Sequence, residues 1–469
     1  MSDILTYDAH DLLAAYRNRS LSPREVAQAG LDAIARFEPA LNAFIGSEAE
    51  GALAAAGESE KRWVRGEPLG LLDGLPMTIK DNIAWAGRTM RRGSLTSPDT
   101  PMSETSPVVE RMIGQGAVPL ARTTMPEFGW KGLGDSPLHG ITRNPWDTRM
   151  TTGGSSAGAG AAAALNLGVL HIGTDGAGSV RIPSGFCGIY GLKPSYGRIP
   201  AHPPSPFSIV SHIGPMTRSV RDAALMMTAT SGPDPRDITA IHAPSPDFRI
   251  GLEDGVRGLR IAWSPRLGYV RNLHPEVEAL CAKAARVFEE LGAHVEEVDP
   301  GFPEPLAVLE TLWQTGAWSV IRQIPESRWG EVDPGLLAAA LKGRDYSGSD
   351  FVAAAGARNA LFATMTRFHE RYDLLLTPTL ATPAFEGGND TPPDGSFGTD
   401  WLAWAPYSYP FNLTLQPAAT VPCGLTDAGL PVGLQIVGPM LADARVLAAS
   451  RAFESARPWP KLSEPNIRH

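Results

Sequence analysis

Short apolar runs alternate with longer amphipathic stretches along this chain, and the alternation predicts its elements. Residues 7–18, 22–38 and 47–64 read as helices. The second opens on Ser22-Pro-Arg-Glu25, a capping box with proline at the first helical position. Leu75–Ile79 reads as a strand that ends at Lys80, Ser106–Gly116 as a helix capped by Ser106, and Val118–Ala121 as another strand. Farther on, strands are expected at Leu259–Trp263, His294–Val298, Tyr372–Thr377, Ala418–Val421 and Val432–Val437. Helices are expected over Ser219–Thr230, His274–Leu291, most of 302–371, and Leu441–Ala456. Strands separated by helices at this spacing argue for an α/β layered sheet. No repeat or composition break divides the chain. Residues 1–469 are therefore expected to form a single large domain, with 1–66 as a helical layer on its core. Loops are expected at 125–150, 231–257 and 384–400, the last polar and Gly/Pro-rich in the manner of a mobile loop near a site.

One region departs from this rhythm. Between Arg149 and Asp175 there is no Asp, Glu, Lys or Arg. The stretch is long enough to span a bilayer, but it is dense in Gly, Ser and Thr and is broken at Gly168. A buried helix followed by a buried strand accounts for it better. It begins with Thr152-Gly-Gly-Ser-Ser156 and runs into Gly173-Thr-Asp-Gly-Ala-Gly-Ser179-Val-Arg181. Ser155 and Ser179 thus stand at two glycine-dense turns, joined by a helix and a strand that can fold back and bring them together. A hydroxyl nucleophile needs an exposed Oγ and nearby backbone N–H groups free to bind an oxyanion. Glycine lets a carbonyl approach the backbone closely. One such turn is usually just a turn; the pair is the candidate site.

Other segments fall into the same pattern: Gly74-Leu-Pro-Met-Thr-Ile-Lys80-Asp-Asn upstream, Gly191-Leu-Lys-Pro-Ser-Tyr-Gly-Arg198, and Leu430-Pro-Val-Gly-Leu-Gln-Ile-Val-Gly-Pro439 near the end. Together they resemble the amidase signature family of hydrolases over nearly the whole chain. The resemblance implies a single-domain α/β fold, a mixed β-sheet covered by helices on both faces. It implies that Ser179 is the nucleophile, Ser155 a bridging serine after a cis Gly154–Ser155 bond, and Lys80 the base. It further implies an oxyanion hole at Gly176, Ala177 and Gly178, with Ser156, Asp175 and Arg181 holding the loops, and no cofactor. The family commonly has two glycines directly before the nucleophile, whereas Ala177 stands here between Gly176 and Gly178. If residue 177 needs a positive φ, alanine costs on the order of 1 kcal/mol.

The residues support the same chemistry independently. A serine hydroxyl needs a base within reach. The nearest histidine, His171, lies in an apolar run and reads as a core residue. A lysine serves if it is neutral, and burial favours its uncharged form. Taken alone, Lys80 would more often pair with Asp81 or face solvent.

Composition narrows the partners. The net charge of −9 gives no nucleic-acid footprint, and 43% hydrophobic residues fit a large core. The ten histidines show no zinc-type spacing, so no metal site is expected. Three cysteines far apart in sequence and no leader-like start suit the cytoplasm. Trp313, Trp318, Trp401 and Trp404 either line an acyl pocket or pack in the core. The expected substrate is a small-molecule amide, or a carbamate or ester with a similar tetrahedral oxyanion. No nucleic acid and no membrane partner are expected, and a homo-oligomer is allowed. The alternative is the glutaminase subunit of a tRNA-dependent amidotransferase. A nucleotide-binding reading of Gly153-Gly-Ser-Ser156 fails for want of a Gly-Lys-Ser/Thr ending.

Overall fold

A computed structural model describes residues 4–207 and 210–468. Residues 1–3 of the expected N-terminal layer and His469 lie outside them. Eleven strands form one sheet: β1 Phe44–Ser47, β2 Pro76–Lys80, β3 Val118–Thr123, β4 Leu170–Asp175, β5 Tyr190–Lys193, β6 His212–Thr217, β7 Arg260–Trp263, β8 His294–Glu297, β9 Leu374–Pro378, β10 Ala418–Leu425 and β11 Pro431–Val437. Their spatial order is β1-β3-β2-β4-β6-β5-β10-β11-β9-β7-β8. The sheet is mixed: β2 runs parallel to β3 and β4, while β4–β6, β5–β6 and β10–β11 are antiparallel.

Strands β2, β4, β5, β6, β9 and β11 are buried along their whole length, and burial on both faces is why β9 and β11 read as mostly apolar runs. Alternation persists in where each side chain goes. On β9, Leu374 and Leu376 join one core cluster and Leu375 the other, on the opposite face. The first cluster is closed by helices such as Pro107–Gly114, Pro275–Glu290 and Asp443–Ala456. The second is closed by Arg181–Cys187, Leu306–Ile321 and Gly348–His369. The edge strand β8 is short and largely exposed and carries two glutamates, which discourages edge-to-edge pairing.

The N-terminal helices Ala9–Asn18, Pro23–Leu41 and Ala49–Arg65 pack on this core. Ser22 and Glu25 form the expected reciprocal cap, Ser22 N–H donating to Glu25 Oε2 at 2.8 Å and Glu25 N–H to Ser22 Oγ at 3.2 Å. Tyr16 Oη donates to Gly74 O at 3.1 Å, tying the layer to the chain just ahead of β2. The uncharged run after Arg149 resolves into a fully buried helix, Ala157–Ala164, followed by β4. No helix among the described residues is long and apolar enough to cross a membrane. Strands β1, β5 and β6 lie outside the segments that the apolar pattern marks as strands.

Candidate active site

Lys80 ends β2 in parallel register with β4, where Ile79 pairs with Ile172. Its Nζ is wholly buried and lies 2.8 Å from Ser155 Oγ, 2.9 Å from Ser156 Oγ and 2.8 Å from Thr174 Oγ1. Ser155 and Ser156 come from the turn before the helix Ala157–Ala164, and the Gly154–Ser155 peptide is cis. Asp81 does not pair with this amine. Its carboxylate accepts from Gly93 N–H at 3.2 Å and Arg91 N–H at 3.3 Å, with Arg122 at 3.8 Å. Burial pushes the Lys80 pKa well below the usual lysine range, and the Asp175 charge opposes that only in part. A neutral amine offers two N–H donors and one lone pair. Three hydroxyls, each able to donate or accept, satisfy it without any charged partner.

Ser179 sits on the turn between β4 and the helix Arg181–Cys187. Asp175 organises that turn. Its carboxylate accepts from the N–H groups of Gly178 at 2.7 Å, Val180 at 3.2 Å and Arg181 at 3.4 Å. The Arg181 guanidinium donates to both carboxylate oxygens at 2.9 Å and then reaches Ser408 O at 2.8 Å, Gln435 Oε1 at 2.7 Å and Asn412 Oδ1 at 2.6 Å. Burial alone would raise the Asp175 pKa. Arg181, Lys193 and Asn412 together hold it below the ordinary carboxylate range.

The two serine turns meet: Ser156 N–H donates to Ser179 O at 3.2 Å, and Ser155 and Ser179 line one pocket. No hydrogen bond joins their hydroxyls in this structure. Gly178, expected among the oxyanion donors, spends its N–H on Asp175. The N–H groups of Gly176, Ala177 and Ser179 make no hydrogen bond to described residues, so the open donors are these three. Ala177 does not adopt a positive φ. That conformation falls on Gly178, at +127°, where an added Cβ would lie 2.6 Å from Ser408 Oγ. The concern over alanine at 177 is thereby removed. Gly176 serves closeness instead, since a Cβ there would meet Trp313 Cζ3 at 2.8 Å.

The pocket encloses about 710 Å³, its open mouth included. Trp313 stacks on Phe207 with centroids 3.9 Å apart, and Phe128, Met90 and Ile213 extend the apolar wall. Of the four tryptophans considered, Trp313 lines the pocket. Trp404 is core and packs against Trp401, and Trp318 packs at the edge of the second cluster. No residue of 384–400 lines the pocket; Ala201, Pro203 to Phe207, Ser211 and Ile213 contribute to its wall instead. Asp390, within 384–400, is engaged by Lys131 at 3.0 Å. His171 is a core residue: Thr78 Oγ1 donates to its Nδ1 and its Nε2 donates to Gly168 O, and burial lowers its pKa to about 4. Among the described residues, Asp8, His10 and Asp11 are the one grouping close enough to share a metal ion, and Asp8 and Asp11 already close a helix cap.

Sequence reasoning missed Thr174, Asn82, Ser408, Asn412 and Gln435. Asn82 and Gln435 lie inside segments that the motifs single out, and Thr174 adjoins Asp175. Ser408 and Asn412 carry no sequence signal, because their partners lie more than 200 positions away.

Known proteins share this sequence pattern and fold. The Amidase family model matches residues 25–447. An acylamidase of Rhodococcus erythropolis is 38% identical over 463 residues, covering 96% of this chain and 95% of its own. A glutamyl-tRNA(Gln) amidotransferase subunit of Thermus thermophilus is 36% identical, covering 97% and 98%. A bacterial aryl acylamidase of the amidase signature family superposes with a TM-score of 0.89 at 33% identity, over 97% of this chain and 96% of that one. The chain therefore belongs to the amidase signature family and is an amide hydrolase.

Proposed function

We propose that the chain hydrolyses small amides, and carbamates of similar shape, through an acyl-enzyme on Ser179. Neutral Lys80 takes the Ser155 proton as Ser155 takes that of Ser179, once the Ser179 side chain has rotated toward Ser155. Ser179 Oγ bonds to the carbonyl carbon, and the open N–H groups of Gly176, Ala177 and Ser179 receive the oxyanion. Ser155 passes its proton to the departing amine as the C–N bond breaks and recovers one from the Lys80 ammonium, which is thereby neutral again. Water repeats the sequence and frees the acid. The observation that carries this reading is a fully buried amine whose hydrogen-bond partners are all hydroxyls. The aromatic wall favours aryl or apolar substituents. The cytoplasmic, small-molecule setting belongs to the same proposal, and three free thiols suit it.

The Thermus relative keeps a second reading in play, that of the glutaminase component of an amidotransferase. Assay of the isolated chain against aryl amides, carbamates and glutamine separates the two. Partner-free turnover of aryl amides supports the proposal; turnover of glutamine alone, and only with partner proteins, overturns it.

A further inference from the structure

Among the described residues that line the pocket, one side chain is charged, that of Arg92. Its guanidinium makes no hydrogen bond or ion pair with any described group. The arginines around it are occupied: Arg88 pairs with Glu48 at 2.7 Å, Arg91 with Asp99 at 3.6 Å, and Arg122 with Glu48 at 3.7 Å. Asp81 is the acidic group whose charge Arg92 feels, but that carboxylate already receives two backbone N–H groups and Arg122. The Arg92 backbone is held in place. Its φ is +52°, its carbonyl accepts from Phe128 N–H at 2.8 Å, and Asp81 ties the flanking N–H groups of Arg91 and Gly93. A guanidinium stays protonated throughout the working range. Held half-buried against apolar walls with no acidic group in hydrogen-bonding or ion-pair contact, it carries a desolvation cost that an anion would relieve.

We infer that Arg92 is a substrate-anchoring residue, and that the pocket takes amides carrying a carboxylate or similar anionic group within the guanidinium's reach. Such a group would receive charge-assisted hydrogen bonds from the guanidinium fork. This rests on the hydrolase reading above only in placing the amide beside Ser179.

The test uses two matched substrate pairs. One carries the charge on the acyl side, succinic against butyric mono-4-nitroanilide; the other carries it on the amine side, 4-acetamidobenzoate against 4-acetamidobenzamide. The readout is the charged-to-neutral ratio of kcat/KM in the wild type, Arg92→Gln and Arg92→Lys. In at least one pair the wild type should favour the charged member about tenfold or more, as a charged hydrogen bond supports. Arg92→Gln should abolish that ratio and Arg92→Lys should retain part of it. Added salt should reduce it. The same four compounds are titrated calorimetrically into Ser179→Ala and into its Arg92→Gln double variant. An Arg92-dependent preference in binding without wild-type turnover would keep the anchor and sink the hydrolase reading. Equal ratios in wild type and Arg92→Gln, in both kinetics and binding, overturn the anchor whatever the hydrolytic rates.

Discussion

Thr174→Val removes one of the three hydroxyls around Lys80 while nearly preserving side-chain size. Thr174 Oγ1 lies 2.8 Å from Lys80 Nζ and accepts from Asn82 Nδ2 at 2.9 Å, so one buried and one half-buried donor lose their acceptor. Each such loss costs about 1–3 kcal/mol. The lower figure, applied to positioning of the amine, predicts roughly a fivefold fall in plateau kcat/KM, and the upper figure more than a hundredfold. The pH dependence carries a second signature. The lost oxygen stabilised the ammonium form, so its removal lowers the Lys80 pKa further. A loss of about 1.4 kcal/mol moves the acidic limb of kcat/KM down by about one pH unit. Below the wild-type pKa, the gain in neutral amine then offsets the positioning loss, and the two enzymes converge as the pH falls. Profiles of kcat/KM for an aryl amide between pH 5 and 10, alongside the rate of phosphonylation by a fluorophosphonate, read both effects. An acidic limb that moves upward, or a defect of constant size across the whole range, refutes the reasoning.

Ser179→Ala should abolish covalent labelling by a fluorophosphonate, and in the wild type the adduct should map by mass spectrometry to the peptide holding Ser179. Lys80→Ala should lose most activity, whereas wild-type kcat/KM should rise with pH as the buried lysine gives up its proton; a flat profile with chemistry limiting contradicts the assignment. Gly176→Ala should press on Trp313 and impair bulky aryl amides more than acetamide, a selectivity that Trp313→Ala should partly restore. Asp175→Asn leaves the Arg181 charge buried and uncompensated, which costs about 3–5 kcal/mol and should lower Tm at neutral pH. The wild-type advantage is complete above the unfolded carboxylate pKa of about 4 and drains away as the pH falls toward the depressed folded value, so the Tm gap should narrow in acid.

Buried strands such as β9 and β11 were legible as apolar runs and the helix at Ser22 as a capping pattern, whereas Ser106 takes the N-cap position without a side-chain cap bond. The convergence of Lys80, Ser155 and Ser179 was legible because each closes a recognisable segment. Strand β5 escaped because it has only four residues, Gly and Lys among them, and β6 because His, Gly, Pro and Thr break up its apolar pattern. The polar segment 384–400 was legible as a loop, but composition does not say what a loop covers. It packs on Lys131, while residues near Phe207 form the pocket wall. Of the N–H groups expected to face an oxyanion, that of Gly178 is spent on Asp175. Which N–H stays open depends on where the Asp175 carboxylate points, and that direction is a tertiary property. Alanine at 177 looked strained only until the left-handed residue proved to be its neighbour.

Arg181 binds Asp175, six residues away, but also Gln435, 254 residues later. A growing polypeptide therefore leaves the ribosome with the Ser179 turn held only by the local Asp175–Arg181 pair for most of its synthesis. The distant partners of Arg181 become available only once Ser408, Asn412 and Gln435 have emerged. A chain truncated before Ser408 lacks all three of these partners and is expected to show no turnover of an aryl amide.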